Sequence, residues 1–309
     1  MSTYLITGGA GFIGSNLAQE LVRRGETVRV LDNFATGRRE NLAGLELALL
    51  EGDILDPAVL RRACAGVDYV LHQAALRSVV RSVDDPAATN AVNVTGTLNV
   101  LLAAREAGVK RVVFASSSSV YGAAPGLPRR ESDRPLPLSP YAAAKLAGEA
   151  YCAAFTHVYG LETVSLRYFN VFGPRQDPGS AYAAVIPLFV AALRAGRPPV
   201  IFGDGETSRD FCYVSNVVEA NLLAAHASGG AGEAVNVACG ERYTLNQLVA
   251  LLNEILGTDM APQYQPERVG DMRHSLADLT AARELLGYAP RVLFREGLER
   301  AVEWYRSSA

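Results

Sequence analysis

Near the N-terminus an apolar, β-branched run at Thr3–Thr7 passes straight into Gly8-Gly9-Ala10-Gly11-Phe12-Ile13-Gly14 and then into a helical pattern over 12–24. Few segments restrict a fold more. Glycines at these intervals read as G-x-x-G-x-x-G from Gly8 or as G-x-G-x-x-G from Gly9. Either way they let the backbone turn tightly between strand and helix and approach a ligand's phosphates. The amides and dipole at the helix N-terminus then meet that negative charge. The rest of the first half repeats the rhythm, with strand patterns at 27–32, 47–52, 69–72, 111–115 and 163–167 and helical patterns at 57–64, 87–107 and 141–159. Successive βαβ units predict an α/β fold, a doubly wound parallel sheet of the Rossmann kind, with ligands at the carboxyl ends of the strands.

After Arg167 the pattern loosens, and Pro174, Pro178, Pro187, Pro198 and Pro199 punctuate shorter elements. Such punctuation predicts a smaller α/β lobe. The expected division is 1–168 for a dinucleotide-binding domain and 169–309 for a mainly substrate-binding lobe. The run 235–237 reads as a strand returning to the main sheet, so the two are expected to interleave. A chain of 309 residues accommodates both.

Composition excludes other classes. With 29 Lys+Arg against 32 Asp+Glu the net charge is −3, which gives no footprint for nucleic acid. The longest apolar stretch, 182–193, is interrupted by Pro187 and falls short of the roughly 20 residues a membrane span needs. The first residues show no basic, apolar or cleavage-site pattern of a secretory signal, so a cytoplasmic protein is expected. Cys64, Cys152, Cys212 and Cys239 lie far apart without C-x-x-C spacing, and His72, His157, His226 and His274 are scattered. Neither a disulfide framework nor a metal site is expected.

The second strand ends at Asp32, 24 positions after Gly8. A carboxylate there accepts hydrogen bonds from ribose hydroxyls and repels a 2′-phosphate, which favours NAD over NADP. Arg38 and Arg39 pull the other way. Asp53-Ile54, ending the third strand, either flanks the adenine or is a turn aspartate beside a core isoleucine.

Ser139-Pro140-Tyr141-Ala142-Ala143-Ala144-Lys145 reads as a helix start, with Ser139 as N-cap and Pro140 in the first turn. Tyr141 and Lys145 then share a face. The ammonium and the helix N-terminus are expected to lower the phenol's pKa from about 10 and make it a usable base. Tyrosine occurs 13 times, but lysine only at 110 and 145. About 0.08 such pairs are expected by chance at helical spacing. Upstream, the serine cluster 116–119 closes the fifth strand, where one hydroxyl can bridge a substrate and Tyr141.

These residues resemble the extended short-chain dehydrogenases, and within them the nucleotide-sugar 4-epimerases. The resemblance covers nearly the whole chain. It includes His72-Gln73-Ala74-Ala75, Asn93 in Asn93-Val94-Thr95-Gly96-Thr97, Ser117-Ser118-Ser119-Val120-Tyr121-Gly122, Arg167-Tyr168-Phe169-Asn170-Val171-Phe172-Gly173, Gly203-Asp204-Gly205 and Arg209-Asp210-Phe211. It implies a UDP-sugar substrate and bound NAD. Tyr141 as phenolate takes the proton of the sugar 4-hydroxyl while the C4 hydride passes to NAD. The 4-keto sugar swings over and takes the hydride back on its other face.

By matching position, Ser117 is the shuttle hydroxyl and Ser118 the alternative. The resemblance assigns Gly8, Gly11, Phe12, Ile13, Gly14, Asp32, Asn33, Asp53, Ile54, Ala74, Ala75, Asn93, Tyr141, Lys145 and Tyr168 to the cofactor. It assigns Ser117, Tyr141, Asn170, Ala184, Arg209, Arg268, Asp271 and Ser275 to the substrate, with both arginines on the diphosphate and Asp271 on the nucleotide ribose.

The related 4,6-dehydratases carry an Asp-Glu pair where this chain has serines, and the glutamate of the decarboxylating relatives is also missing. Epimerisation is therefore the expected reaction. Ser275 and Ala184, both small, resemble the branch that admits an N-acetyl group, which implies UDP-GlcNAc/UDP-GalNAc with UDP-Glc/UDP-Gal as a further pair. Arg77 departs from that branch and, with Arg175, suits a uronate carboxylate, so UDP-glucuronate 4-epimerisation is the alternative. A non-catalytic NAD-binding scaffold is a third reading. Family members commonly form homodimers, implied here through 87–107 and 141–159.

Overall fold

The computed structural model describes residues 1–177, 184–267 and 273–307. Seven strands form the main sheet: β1 (Thr3–Thr7), β2 (Thr27–Asp32), β3 (Ala48–Glu51), β4 (Tyr69–His72), β5 (Arg111–Ser117), β6 (Glu162–Tyr168) and, much later in the chain, β11 (Ala234–Val237). Their spatial order is β11-β6-β5-β4-β1-β2-β3, every neighbour parallel. The chain winds outward in one direction from β1 and then in the other from β4. The crevice at their carboxyl ends is the switch point where such sheets bind ligands. The central strands β1, β4 and β5 carry near-continuous buried runs because helices cover both faces.

The helices of this part are α1 (Phe12–Arg23), α2 (Pro57–Cys64), α3 (Val79–Asp84), α4 (Pro86–Asn90), α5 (Gly96–Glu106) and α6 (Pro140–Tyr159). One face buries Leu17, Ala18 and Leu21 of α1 against Ile6 and Val30. The other buries Leu60, Val100, Leu101 and Phe155 against Leu5, Val70 and Val112. Each such apolar side chain contributes about 1.5–3 kcal/mol when fully buried, which holds the crevice's walls in place.

The single helix expected over 87–107 is instead α4, a π turn over Ala91–Thr95, and α5. Local bonds explain the break. Asn93 donates to Leu76 O at 3.0 Å and accepts from Leu76 N at 2.8 Å, while Thr97 Oγ1 donates to Asn93 O at 2.8 Å. Gly96 sits against Ile54, whose Cδ1 would lie 2.5 Å from an added Cβ. The bulge thus trades regular helix bonds for a tether on the loop after β4.

Beyond β6 lie β7 (Asn170–Phe172), α7 (Val185–Arg194), β8 (Val200–Phe202), β9 (Ser208–Arg209), β10 (Phe211–Tyr213) and α8 (Val214–His226). After β11 come β12 (Tyr243–Thr244), α9 (Leu245–Leu256), β13 (Gln263–Gln265), α10 (Thr280–Leu286) and α11 (Phe294–Ser307). The strands here form two-stranded pairs, β7 with β10, β9 with β12 and β8 with β13. They pack with α7, α9 and α11 around Phe172, Phe189, Phe211, Leu248 and Phe294. No helix among the described residues is long and apolar enough to cross a membrane. All four cysteines are free and buried.

Candidate active site

The cleft at the switch point, about 300 Å³, runs from Gly8, Gly11, Asp32 and Asp53 at one end to Ser117, Tyr141 and Lys145 at the other. At the glycine turn, Gly8 has φ +69, and a Cβ there would stand 2.7 Å from Ala74 N. Helix α1 begins at Gly11 without a side-chain cap, so the first amides of the helix, at residues that line the cleft, have no side chain bonded over them. An uncapped helix N-terminus behind a turn that tolerates no side chain fits a dinucleotide pyrophosphate.

Asp32 lines the cleft and also secures the turn, its two oxygens accepting from Ala10 N and Phe34 N at 2.8 Å each. A carboxylate has about four lone-pair directions, so acceptor capacity remains for ribose hydroxyls. Asn33 donates to Asp53 Oδ2 at 2.8 Å, and both line the cleft with Ile54. The arginines that sequence alone sets against NAD are already engaged. Arg38 pairs with Asp177 at 2.6 Å, and Arg39 pairs with Glu51 while stacking over Phe34.

Ala74, Ala75 and Tyr168 line the same cleft. The Tyr168 hydroxyl is held by Gln73 and by Asn221, whose Nδ2 donates to it at 2.8 Å. Asn93 stands one layer back: it is buried, and both ends of its amide are spent on the backbone of Leu76, which itself lines the cleft. It shapes the loop that carries Ala74 and Ala75 and does not reach the cofactor cleft.

On α6, Ser139 Oγ accepts from Ala142 N at 3.1 Å, a cap worth about 1 kcal/mol. Tyr141 and Lys145 follow on one face, with Nζ 5.9 Å from the phenol ring's centre. The expected lowering of the phenol's pKa is not what the structure gives. Burial raises it, opposed by a hydrogen bond from Ser117 and by the charge of Arg77. The Lys145 ammonium is aimed at the backbone, donating to Ala115 O at 2.7 Å, and burial pushes it down to about 8. Helical spacing placed the pair correctly, but dehydration at the cleft floor outweighs the proximity of the two groups.

Ser117 lines the cleft beside Tyr141, whereas Ser118 begins a 3₁₀ turn and does not line the cleft. His72 is buried beneath, between Thr7 Oγ1 at 2.7 Å and Thr97 Oγ1 at 3.0 Å. Burial, and secondarily Lys145, holds it neutral with a pKa near about 3.

A second cavity of about 400 Å³ shares Val171 with the first and is lined by Asn170, Ala184, Phe202, Arg209 and Leu245 among others. Arg268 and Asp271 lie outside the described residues. Ser275 is buried, its N–H donating to Ser208 O at 3.1 Å, and its Oγ has no hydrogen-bond partner among the described residues. It lines neither cavity as they stand. Arg175 lines the first cavity with Arg77 and also reaches α1, donating to Ser15 O at 3.0 Å and Gln19 Oε1 at 2.7 Å. Phe169, within the run 168–170 that the resemblance places against the nicotinamide and sugar, lines the first cavity, and so do Gln73 and Gln176, which were not singled out as site residues. Only the fold brings them together.

A doubly wound sheet with a glycine turn and a Ser-Tyr-Lys group in one cleft defines a dinucleotide-dependent enzyme of the short-chain dehydrogenase type. Residues 4–238 match the model of the NAD dependent epimerase/dehydratase family, and the chain belongs to that family. It is 42% identical over 99% of both chains to a UDP-glucose 4-epimerase of Mycolicibacterium smegmatis. Its structure superposes with TM-score 0.95 on a UDP-N-acetylglucosamine 4-epimerase from Methanobrevibacter ruminantium in complex with UDP-N-acetylmuramic acid, at 42% identity, covering 100% of this chain and 99% of that one. A Thermus thermophilus UDP-glucose 4-epimerase in complex with NAD gives TM-score 0.90 at 38% identity, covering 99% and 100%.

Proposed function

We propose that this chain is an NAD-dependent UDP-sugar 4-epimerase that interconverts UDP-GlcNAc and UDP-GalNAc, and also UDP-Glc and UDP-Gal. The observation that carries the reading is the pair of neighbouring cavities that share Val171 as a wall, with the glycine turn and Tyr141 in one and Arg209 in the other. When bound, NAD supplies a hydride acceptor and the positive charge of its oxidised ring.

The chain's own residues do the rest. The Tyr141 oxygen takes the proton of the sugar 4-hydroxyl, directly or across Ser117, and returns it after the 4-keto sugar has turned over. Lys145 keeps positive charge at the cleft floor. Arg209, with Arg268 and Asp271 in the sequence, holds the UDP moiety by charge-assisted bonds. Ala184, a small residue on the wall of the second cavity, supports the N-acetylhexosamine pair.

Incubating the purified protein with UDP-GlcNAc, UDP-Glc and UDP-GlcA side by side tests the reading: interconversion of the first two is expected, and conversion of neither overturns it. Arg209→Ala is expected to raise KM for the UDP-sugar by about 10- to 100-fold, the loss of one charge-assisted contact, with a smaller effect on kcat. An unchanged KM removes Arg209 from the diphosphate.

Arg77 favours a second reading, UDP-glucuronate 4-epimerisation, since its guanidinium shares the cleft with Tyr141. Under that reading Arg77→Ala raises KM for UDP-GlcA at least about tenfold, the worth of one carboxylate contact. Under the first reading it leaves KM for UDP-GlcNAc near its starting value.

The working compartment is the cytoplasm, where four free buried thiols are stable. The partner is a second copy of the chain, docked on α5 and α6. Leu102 and Tyr151 remain exposed there, beside Val79, Val80 and Val83 of α3.

A further inference from the structure

One buried ionic cluster lies directly behind the reacting groups. Glu149 sits one turn beyond Lys145 on α6 and is 8% exposed. Its carboxylate receives Arg167 Nε at 3.0 Å and Nη2 at 2.8 Å, a bidentate pair with Arg167 on β6 only 4% exposed. The remaining Arg167 Nη1 donates to the Tyr121 hydroxyl at 3.0 Å, which donates to Asn236 Oδ1 at 2.7 Å on β11. The cluster therefore ties α6 to two strands and to the turn after β5.

It also reaches the strand tip that carries the shuttle serine. Ser116 Oγ donates to Glu149 Oε1. Its neighbours on either side are Ala115, whose carbonyl receives Lys145 Nζ, and Ser117, which lines the cleft with Tyr141 and whose hydroxyl lowers the phenol's pKa. Two consecutive residues of β5, Ala115 and Ser116, are thus fixed to α6 immediately before Ser117, the second of them by Glu149. We propose that Glu149 is the positioning residue of this site: through Ser116 it seats Ser117 against Tyr141, and its negative charge is the counter-ion against which Lys145 is buried. The seating role rests on the epimerase reading; the counter-ion role does not.

The surroundings of Lys145 make the charge assignment specific. From β4 it faces His72, neutral by burial. From β5 it meets only the Ala115 carbonyl and the Phe114 ring, 4.9 Å from Nζ. On α6 itself are Tyr141, Glu149 and the Cys152 thiol, which burial raises to about 12 and so keeps protonated at neutral pH. The Arg167 charge on β6 lies across Glu149. Glu149 is therefore the one carboxylate among the groups acting on Lys145. Burial lowers the ammonium's pKa, and Cys152 and then Glu149 oppose it. Neutralising Glu149 weakens the opposition to burial, so the folded pKa falls further below the usual lysine value and the positive charge is lost at lower pH.

The chain has only two lysines, 110 and 145. Lysine labelled with ¹³C at Cε therefore gives two resonances, and Lys110, exposed and paired with Asp68 at 2.9 Å, is an internal control. In Glu149→Gln, the Lys145 titration midpoint of the purified protein with its bound dinucleotide is expected to fall by about one pH unit. Lys110 stays in place. The alkaline fall of kcat with UDP-GlcNAc moves down with Lys145, while KM changes less than about twofold. In Ser116→Ala, which leaves the Glu149–Arg167 pair intact, kcat falls about tenfold while the Lys145 midpoint is unchanged.

A folded Glu149→Gln protein with an unmoved Lys145 midpoint overturns the counter-ion role. A Ser116→Ala protein within twofold of the parent kcat overturns the seating role, and it does so even if Glu149→Gln does not fold. The titration uses no sugar. A chain that shows the Lys145 shift but converts no UDP-sugar overturns the assigned reaction and the seating role while supporting the counter-ion role.

Discussion

Tyr141→Phe is expected to lower epimerase turnover by about 10²- to 10⁴-fold, the range over which a positioned general base contributes. The substitution removes one oxygen and no packing volume from a ring held at the start of α6. Fold and bound NAD should survive, since the glycine turn, Asp32 and the walls around Asp53 do not depend on that hydroxyl. The decisive measurement pairs a UDP-GlcNAc epimerase assay with the amount of NAD released on denaturation. Near-parental turnover in a protein with full NAD content removes Tyr141 as the base. The pH dependence carries a sign as well. Burial raises the phenol's folded pKa, so the deprotonated form gains population as pH increases, and turnover should rise with pH until Lys145 begins to lose its proton.

The second large effect is expected from Gly14→Ala. A Cβ at this position would stand 2.3 Å from the Gly8 carbonyl oxygen and 2.7 Å from Gly9 Cα. Both obstacles are backbone, so no side-chain rotation relieves them. Helix α1 has to lift off β1, and the amides at its N-terminus leave the position they share with Gly8 and Gly11. Overpacking of this kind costs about 1–3 kcal/mol of stability. The larger loss is in the pyrophosphate seat. Purified Gly14→Ala protein is expected to contain little NAD, with a dissociation constant raised at least about 100-fold, an order-of-magnitude expectation for lost amide and dipole contacts. Isothermal titration with NAD checks it. Binding at parental affinity would separate the glycine turn from the cofactor.

Both predictions start from features legible in the linear sequence, and the reason is local. The strand–glycine–helix transition is written in eight consecutive residues, and steric exclusion of a Cβ acts within them. The Ser139 cap, Pro140 and the Tyr141/Lys145 spacing act over a single helical turn. Alternation of apolar runs likewise predicted β1, β2, β4 and α2 with the boundaries observed. The helix expected over 87–107 failed because its interruption depends on Asn93 reaching Leu76 across a loop, a contact 17 residues away in sequence.

The charge states were not legible either. Spacing puts an ammonium near Tyr141, but the direction of the pKa shift depends on how much water the closed fold leaves around both groups. Arg38 and Arg39 look like phosphate ligands in the sequence until Asp177 and Glu51 are brought to them. Arg175 lines the cleft with Arg77, but its bonds to Ser15 and Gln19 of α1 could not be read from the sequence.

The sequence by itself determined the α/β class, the glycine turn between β1 and α1 and the placing of Tyr141 and Lys145 on one helix face, because each rests on periodicity, backbone sterics or i, i+4 geometry. Only the tertiary structure decided which arginines remain available, that Asn93 builds a wall and Ser117 faces the phenol, and that Glu149 stands behind Lys145. Those outcomes depend on burial and on partners tens of residues apart, which meet only when β4, β5, β6 and α6 close on one another.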